Sequence, residues 1–246
     1  MKIEEIKVFP VHQFVYVKIE TDEGIYGIGE ASLSGRSLAV SEALGHIKPL
    51  LIGQDPTQIE HIWQDIFRGT FWRGGPVLQS ALAGIDIALW DLAGKSLGVP
   101  TYRLLGGATR QKVLVYRHVG GKTPVHLIEN AQKLLEEGWR VLRISPIDTL
   151  TGGFNPKLAV SRGIEHFAAL REAIGDEVEI IFEVHTRLTP IRAVELCKGI
   201  ENLRPFFVED PIRSENPASF AMLRAQTTVP IGTGEQLHHK WAYREL

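Results

Sequence analysis

The chain of 246 residues carries 27 Lys and Arg against 29 Asp and Glu, a formal charge of −2, with 44% hydrophobic and 23% charged residues. These proportions exclude a disordered chain, and neither sign of charge forms a long block, so no nucleic acid and no membrane is expected as a partner. A small molecule is the expected ligand.

Cys197 is the single cysteine and lies in a helical stretch, which excludes an intramolecular disulfide framework and points to a reducing compartment. No activating neighbour is evident for its thiolate, so it reads as core filling rather than as a nucleophile. The N-terminus, Met1-Lys2-Ile3-Glu4-Glu5, has acids where a signal peptide needs an apolar run. No apolar stretch is read as reaching the roughly 18 residues of a spanning helix, and a cytoplasmic location is expected.

In chain order, Ile3 to Phe9, Phe14 to Glu20 and Tyr26 to Glu30 alternate as strands around the turn Asp22-Glu23-Gly24, which predicts an antiparallel sheet. From Ser37 to about Gly98 the pattern is helical, broken at Gly53-Gln54-Asp55-Pro56 and Gly74-Gly75-Pro76, with Asp55 or Thr57 as the expected cap of a new helix. An α+β domain is expected over residues 1–110. From Val113 the period changes: strands are predicted at Val113 to Tyr116, Val141 to Ile144, Glu179 to Glu183, Phe206 to Glu209 and Pro230 to Thr233. Helices are predicted between them, at about Pro124 to Glu137, Lys157 to Ile174, Pro190 to Asn202 and Asn216 to Gln226. Alternating β and α, with strands apolar on both faces, predicts a parallel sheet covered by helices over 111–246. Gly27-Ile28-Gly29 lies in the hairpin with no helix directly after it, so it is not a phosphate-binding fingerprint.

Glu183 ends Ile180-Ile181-Phe182, Glu209 ends Phe206-Phe207-Val208, and Glu235 follows Pro230-Ile231-Gly232-Thr233-Gly234. Both intervals between these glutamates are 26 residues, about the length of one βα unit, which predicts three carboxylates at one height on neighbouring strands. Three such groups repel and raise one another's pKa unless a proton or cation relieves them. All-oxygen ligation favours a hard cation, Mg²⁺ above zinc. The plainer reading makes each glutamate a solvated strand end.

His185, two residues past Glu183, points to the same side on an extended chain and suits proton transfer there; otherwise it is a loop histidine bonded to backbone. Arg143 either holds an anionic group or pairs with a neighbouring carboxylate. His118 is a weaker candidate. His238-His239 read as a helix start, and Trp72-Arg73 as either a cap over the site or ordinary packing.

The segment Ser80-Ala81-Leu82-Ala83-Gly84-Ile85-Asp86-Ile87-Ala88-Leu89-Trp90-Asp91-Leu92-Ala93-Gly94-Lys95, continuing through Gly98-Val99-Pro100 to Leu104-Leu105-Gly106-Gly107, resembles the mandelate racemase and muconate lactonizing branch of the enolase superfamily. Phe207-Val208-Glu209-Asp210-Pro211 and Gly234-Glu235-Gln236 resemble that branch's second and third metal-ligand motifs, with Glu183 at the first. The likeness is greatest to its acid-sugar dehydratases of the galactonate type and runs over the whole chain. It departs at Glu183, where those dehydratases usually have aspartate, and at Gln236, often arginine.

The resemblance implies an N-terminal α+β capping domain followed by a TIM-type (β/α) barrel, of which about five strands fit in this chain. It also implies a Mg²⁺ cofactor held by Glu183, Glu209 and Glu235, with His185 as the general acid; beside it, Arg143 is expected to take part in catalysis, Trp72 and His118 are expected to contact the substrate, and a homo-oligomer is expected. The second barrel strand reads Leu142-Arg143-Ile144-Ser145, without the lysine of the racemases. The implied reaction is therefore removal of the proton α to a sugar-acid carboxylate and loss of the β-hydroxyl, protonated by His185, to give a 2-keto-3-deoxy acid. The alternatives are a racemase or epimerase of a hydroxy acid and a non-catalytic sugar-acid-binding homologue. In the resemblance a further histidine base lies on later strands, so this chain by itself is expected to lack turnover.

Overall fold

In the computed structural model, which describes residues 1–149 and 153–246, apolar alternation at the N-terminus builds an antiparallel sheet of order β1-β2-β3. Its strands are β1 (Ile3–Val11), β2 (Phe14–Thr21) and β3 (Tyr26–Glu30). Val15, Val17 and Ile19 of β2 are buried while Lys18 between them stays half-exposed, the period of two that puts one face on a core. That core is closed by α1 (Ser37–Leu51), α2 (Ile59–Arg68) and α3 (Gly75–Leu97), followed by the short α4 (Thr101–Leu104).

The glycines of β3 are explained by α3. A Cβ at Gly29 would lie 1.9 Å from the Gly84 carbonyl oxygen, and one at Gly27 would lie 1.9 Å from that of Ala88. Strand and helix backbones therefore meet where no side chain fits. Asp91 of α3 completes the seam: its Oδ2 accepts from the Ile28 N–H at 2.8 Å and from Lys95 Nζ at 2.6 Å, and Lys95 also donates to the Tyr26 carbonyl at 2.9 Å.

Two expectations are corrected in this unit. The cap of α2 is Gln58, with no side-chain hydrogen bond, because Asp55 Oδ1 is taken up by the N–H and hydroxyl of Thr57 in a turn. Also, α3 has the length and apolarity to cross a membrane, contrary to the sequence expectation. Its face of Leu82, Ile85, Leu89 and Leu92 is buried within the protein.

Residues Met1–Lys112 and Val113–Leu246 form two separate units. In the second, strands β4 (Arg117–His118), β5 (Val141–Ile144), β6 (Glu179–Glu183), β7 (Phe207–Glu209) and β8 (Ile231–Gly232) make a parallel sheet in sequence order. Helices α5 (Pro124–Glu136), α6 (Pro156–Ile174), α7 (Pro190–Ile200) and α8 (Ala218–Arg224) connect them. Proline opens α5, α6 and α7, where its missing N–H costs nothing, and the side chains of Thr123 and Asn155 cap α5 and α6. Short 3-10 turns occupy Pro146–Thr149, Glu201–Leu203 and Lys240–Glu245. Ile180, Ile181 and Phe182 are all buried, so β6 is covered on both faces as a parallel sheet requires.

The first parallel strand is displaced from its expected place. Val113 to Tyr116 lie outside any strand and are exposed, and pairing starts only at Arg117 opposite Leu142. Since β5 begins at Val141, the residues before Tyr116 have no strand to face. Behind the sheet, the buried Arg171 of α6 donates to four backbone carbonyls, those of Gly175 and Val178 at 2.7 Å and of Leu203 and Arg204 at 3.0 Å. One guanidinium thus joins the end of α6, the approach to β6 and the turn before β7.

Candidate metal and active site

The C-terminal ends of the parallel strands carry the predicted site residues, and the register decides which of them meet. Glu183 lies directly opposite Glu209 across β6 and β7. Both reach one cation: Arg143 Nη1, from β5, is 2.8 Å from Glu183 Oε2 and 2.5 Å from Glu209 Oε2. Of the two readings of Arg143, pairing with carboxylates is the one observed. The same side chain donates through Nε to His118 Nδ1 at 3.3 Å and lies over the Tyr116 ring at 5.2 Å.

Glu183 is 1% exposed, and its Oε2, although close to Arg143, is not aligned for a hydrogen bond and has no partner of that kind. Burial, followed by the Glu209 charge, pushes its pKa up to about 7, against the His185 N–H and Arg143, which act to lower it. The His118 pKa is lowered by desolvation and then by the Arg143 charge. An imidazole whose Nδ1 accepts from a guanidinium is in its neutral form, and the lowered pKa acts in the same direction.

His185 departs from the expected geometry. Strand β6 stops at Glu183, and His185 and Thr186 both take left-handed backbone, with φ of 59° and 60°. Alternation along an extended chain therefore does not place the imidazole. The turn does, held by the His185 N–H donating to Glu183 Oε1 at 2.7 Å and the Thr186 N–H donating to the Asp210 carbonyl at 2.7 Å. The backbone of His185 is thereby held against the Glu183 carboxylate.

Glu235 is not at the height of the other two. Gly232 is the residue opposite Glu209, and the chain leaves β8 there, passing through Gly234 at φ 129° before Glu235 appears exposed in a turn. Equal spacing in sequence is thus not equal register, because the glycines end the strand three residues early. That turn is tied by Ser214 Oγ donating to Gln236 Oε1 at 3.0 Å. His239 caps the final 3-10 turn by accepting from the Ala242 N–H, in keeping with the helix-start reading of His238-His239.

Asp210, Thr233 and Ser145 belong to the same rim and were not singled out from sequence. Asp210 is buried, in left-handed backbone at φ 41°, and its Oδ1 accepts from the Thr233 hydroxyl at 2.9 Å while its N–H donates to the Gly232 carbonyl. Ser145 Oγ donates to the Glu183 carbonyl at 3.2 Å. A second acid directly after a strand-ending glutamate was the available signal. Trp72 and Arg73 lie in the first unit, where Trp72 is 81% exposed and the pair helps to line a cleft of about 600 Å³ with Leu50, Ile66 and Leu78.

A hard divalent cation fits part of this arrangement. Glu183 and Glu209 offer oxygen donors side by side, one of them buried without a hydrogen bond and raised in pKa, which is the condition a cation relieves. Among the described residues no three His, Cys, Asp or Glu groups are gathered closely enough to hold a metal ion, and Glu235 stands exposed in the turn after β8.

Residues 6–106 match the mandelate racemase / muconate lactonizing enzyme N-terminal domain, and residues 126–246 match the enolase C-terminal domain-like family. The chain is 40% identical to a D-mannonate dehydratase of Caulobacter sp. (strain K31), over 100% of this chain and 68% of that protein. It is 39% identical to a D-galactonate dehydratase of Pectobacterium atrosepticum, over 100% of this chain and 64% of that one. Among solved structures, an enolase from Pantoea ananatis with bound D-gluconate and Mg superposes with a TM-score of 0.92 at 34% identity, covering 99% of this chain and 68% of that chain. The chain thus spans about two thirds of the length of these relatives.

Proposed function

Because the chain belongs to the mandelate racemase / muconate lactonizing enzyme family, we propose that its protein is a Mg²⁺-dependent sugar-acid dehydratase of the cytoplasm. The reaction removes the proton α to the carboxylate and expels the β-hydroxyl to give a 2-keto-3-deoxy acid. The observation that carries this reading is the convergence of Glu183 and Glu209 on one cationic point at the ends of adjacent parallel strands, with His185 held beside them. Relatives named as D-mannonate and D-galactonate dehydratases support the substrate class.

In this reading Glu183 and Glu209 would hold the cation, and Glu235, which stands exposed in the turn after β8 and is not gathered with them, would have to move to join them. When bound, the cation supplies a fixed positive charge next to the substrate carboxylate, lowering the cost of the negative charge that develops as the α-proton leaves. The chain's own residues supply the proton for the leaving group and the contacts that hold the substrate, and none of them is assigned as the acceptor of the α-proton. His185 gives its proton to the departing hydroxyl, and its position is fixed through the backbone bond to Glu183 rather than through a flexible loop. Arg143 provides positive charge at the mouth for an anionic substrate, and neutral His118, fixed by Arg143 Nε, offers its other ring nitrogen to a substrate hydroxyl.

The test is a panel of hexonic and other sugar acids incubated with the full-length protein and Mg²⁺, followed by detection of the 2-keto product. Mannonate or galactonate should lose water, and EDTA or Glu209→Gln should abolish the loss. Epimerised acid without 2-keto product would replace this reading with a racemase.

A further inference from the structure

We propose that the cleft among α1, α2 and α3 is a binding site for an aromatic carboxylic acid that carries a hydroxyl at the end away from its carboxylate. Ile47 and Leu50 of α1, Ile66 and Phe67 of α2, and Leu78 and Leu82 of α3 line a space of about 600 Å³. A volume of that order, apolar for the most part and with a few polar groups set into it, is the ordinary make-up of a small-molecule site. The cleft lies wholly within residues Met1–Lys112, so its occupation does not depend on the carboxylates at the strand ends.

Two polar groups in the lining define the ligand. Gln79 of α3 is only 8% exposed, and its side-chain amide has no hydrogen-bond partner among the described residues. A buried amide without a partner costs free energy, and a ligand hydroxyl, which both donates and accepts, pairs with either end of it. Arg73 is the second group. Its guanidinium carbon lies 5.8 Å from the centroid of the Phe67 ring, which holds the charge against the cleft wall, and it has no ion pair among the described residues. His46 shares the lining, and no acid among the described residues does, so a carboxylate there meets positive charge without a competitor. The body of the ligand follows from the walls. Phe67 and Trp72 offer ring faces, and Trp72, edge-on to Phe71 at 5.2 Å and 81% exposed, gains cover from a flat apolar ring. A sugar acid would set hydroxyls against those walls, so this ligand is chemically distinct from the proposed substrate.

The experiment is calorimetric titration of the 246-residue chain at neutral pH with three probes: 6-hydroxy-2-naphthoate, 2-naphthoate and the uncharged 2-naphthamide. The hydroxylated acid should bind tightest, 2-naphthoate about three- to tenfold more weakly, and 2-naphthamide weaker again by on the order of tenfold. Gln79→Leu should remove the advantage of the hydroxyl while leaving 2-naphthoate bound as before, and Arg73→Met should bring 2-naphthoate down to the affinity of the amide. An acid bound no tighter than the amide by wild type overturns the proposal, whether or not the variants fold. Equal affinity for the two acids overturns it as well, because Gln79 then plays no part. So does the failure of all three probes to bind at millimolar concentration. A dimer formed through this face, seen in sedimentation as a mass that rises with concentration, is lost in Trp72→Ser and is unmoved by the acids, would give the cleft to a second copy of the chain and overturn the proposal in its favour.

Discussion

Glu183 stands opposite Glu209 in the parallel register of β6 and β7, and the Val184 N–H that follows donates to the Glu209 carbonyl at 3.0 Å. The sheet itself therefore presses two carboxylates together, one of them buried. The folded protein holds the Glu183 proton more tightly than the unfolded chain does, since its pKa is raised from the ordinary 4.5 to about 7. The sign follows: with divalent cations removed, stability is greatest below about pH 4.5 with respect to this group and is lost as pH rises toward 7. Glu183→Gln should match wild type at pH 5 and exceed it at pH 8 by on the order of 1 kcal/mol in urea denaturation with EDTA present. A variant less stable than wild type at pH 8 would show that the ion pair with Arg143 outweighs desolvation.

Metal uptake should reverse this penalty. If Glu183 is a ligand of the cation, as proposed, it must be ionised to bind, so Mg²⁺ binding near pH 6 should release protons, and binding near pH 8 should release few from this group. Titration calorimetry in two buffers of different ionisation enthalpy measures the number released. A count independent of pH between 6 and 8 would contradict the raised pKa.

The site was legible from sequence to the extent that it followed strand geometry. Apolar runs ending in an acid placed Glu183 and Glu209 on neighbouring strands, and the register confirms that pairing. Glu235 did not follow, because the strand ends at Gly232 and the spacing of residues in the chain carries no record of where a strand stops. His185 was misread for a related reason: two successive non-glycine residues at positive φ are a tertiary outcome, fixed here by bonds to Glu183 and Asp210. The apolar run Val113 to Tyr116 looked like a strand, but pairing depends on what lies alongside it. Likewise Gly27-Ile28-Gly29 could be excluded as a phosphate loop from local sequence, while its actual role against Gly84 and Ala88 is visible only once α3 is docked.

That docking gives a sharp prediction for Gly29. The added methyl of Gly29→Ala would fall 1.9 Å from a backbone oxygen that belongs to a helix and cannot rotate away. Either β3 or α3 must shift, at a cost of about 2–4 kcal/mol, at or above the usual range for overpacking. Gly24→Ala is the control, since nothing lies within 4 Å of its Cβ position, although its φ of 76° leaves a smaller conformational cost. Chemical denaturation should show Gly29→Ala as much the more damaging, and equal losses would mean that the seam is loose.

Arg171 gives the largest expected loss in the second unit, for a reason unrelated to chemistry at the mouth. Its guanidinium is buried and satisfies the carbonyls of Gly175, Val178, Leu203 and Arg204, and no carboxylate is among these partners. Arg171→Met keeps most of the volume but leaves four acceptors in a place with little access to water. A destabilisation of about 3–5 kcal/mol is expected, in line with removal of one side of a buried charged network. Arg171→Lys should recover only part of it, because an ammonium lacks the planar fork that reaches carbonyls on both sides of the turn. Denaturant midpoints of the three proteins, read with tryptophan fluorescence, test this order. The Mg²⁺ affinity of whatever fraction remains folded should be unchanged, since the clamp lies behind the sheet and touches neither Glu183 nor Glu209. If Arg171→Met proved nearly neutral, the four carbonyls would have to find other donors, and the clamp would be ornamental to the fold.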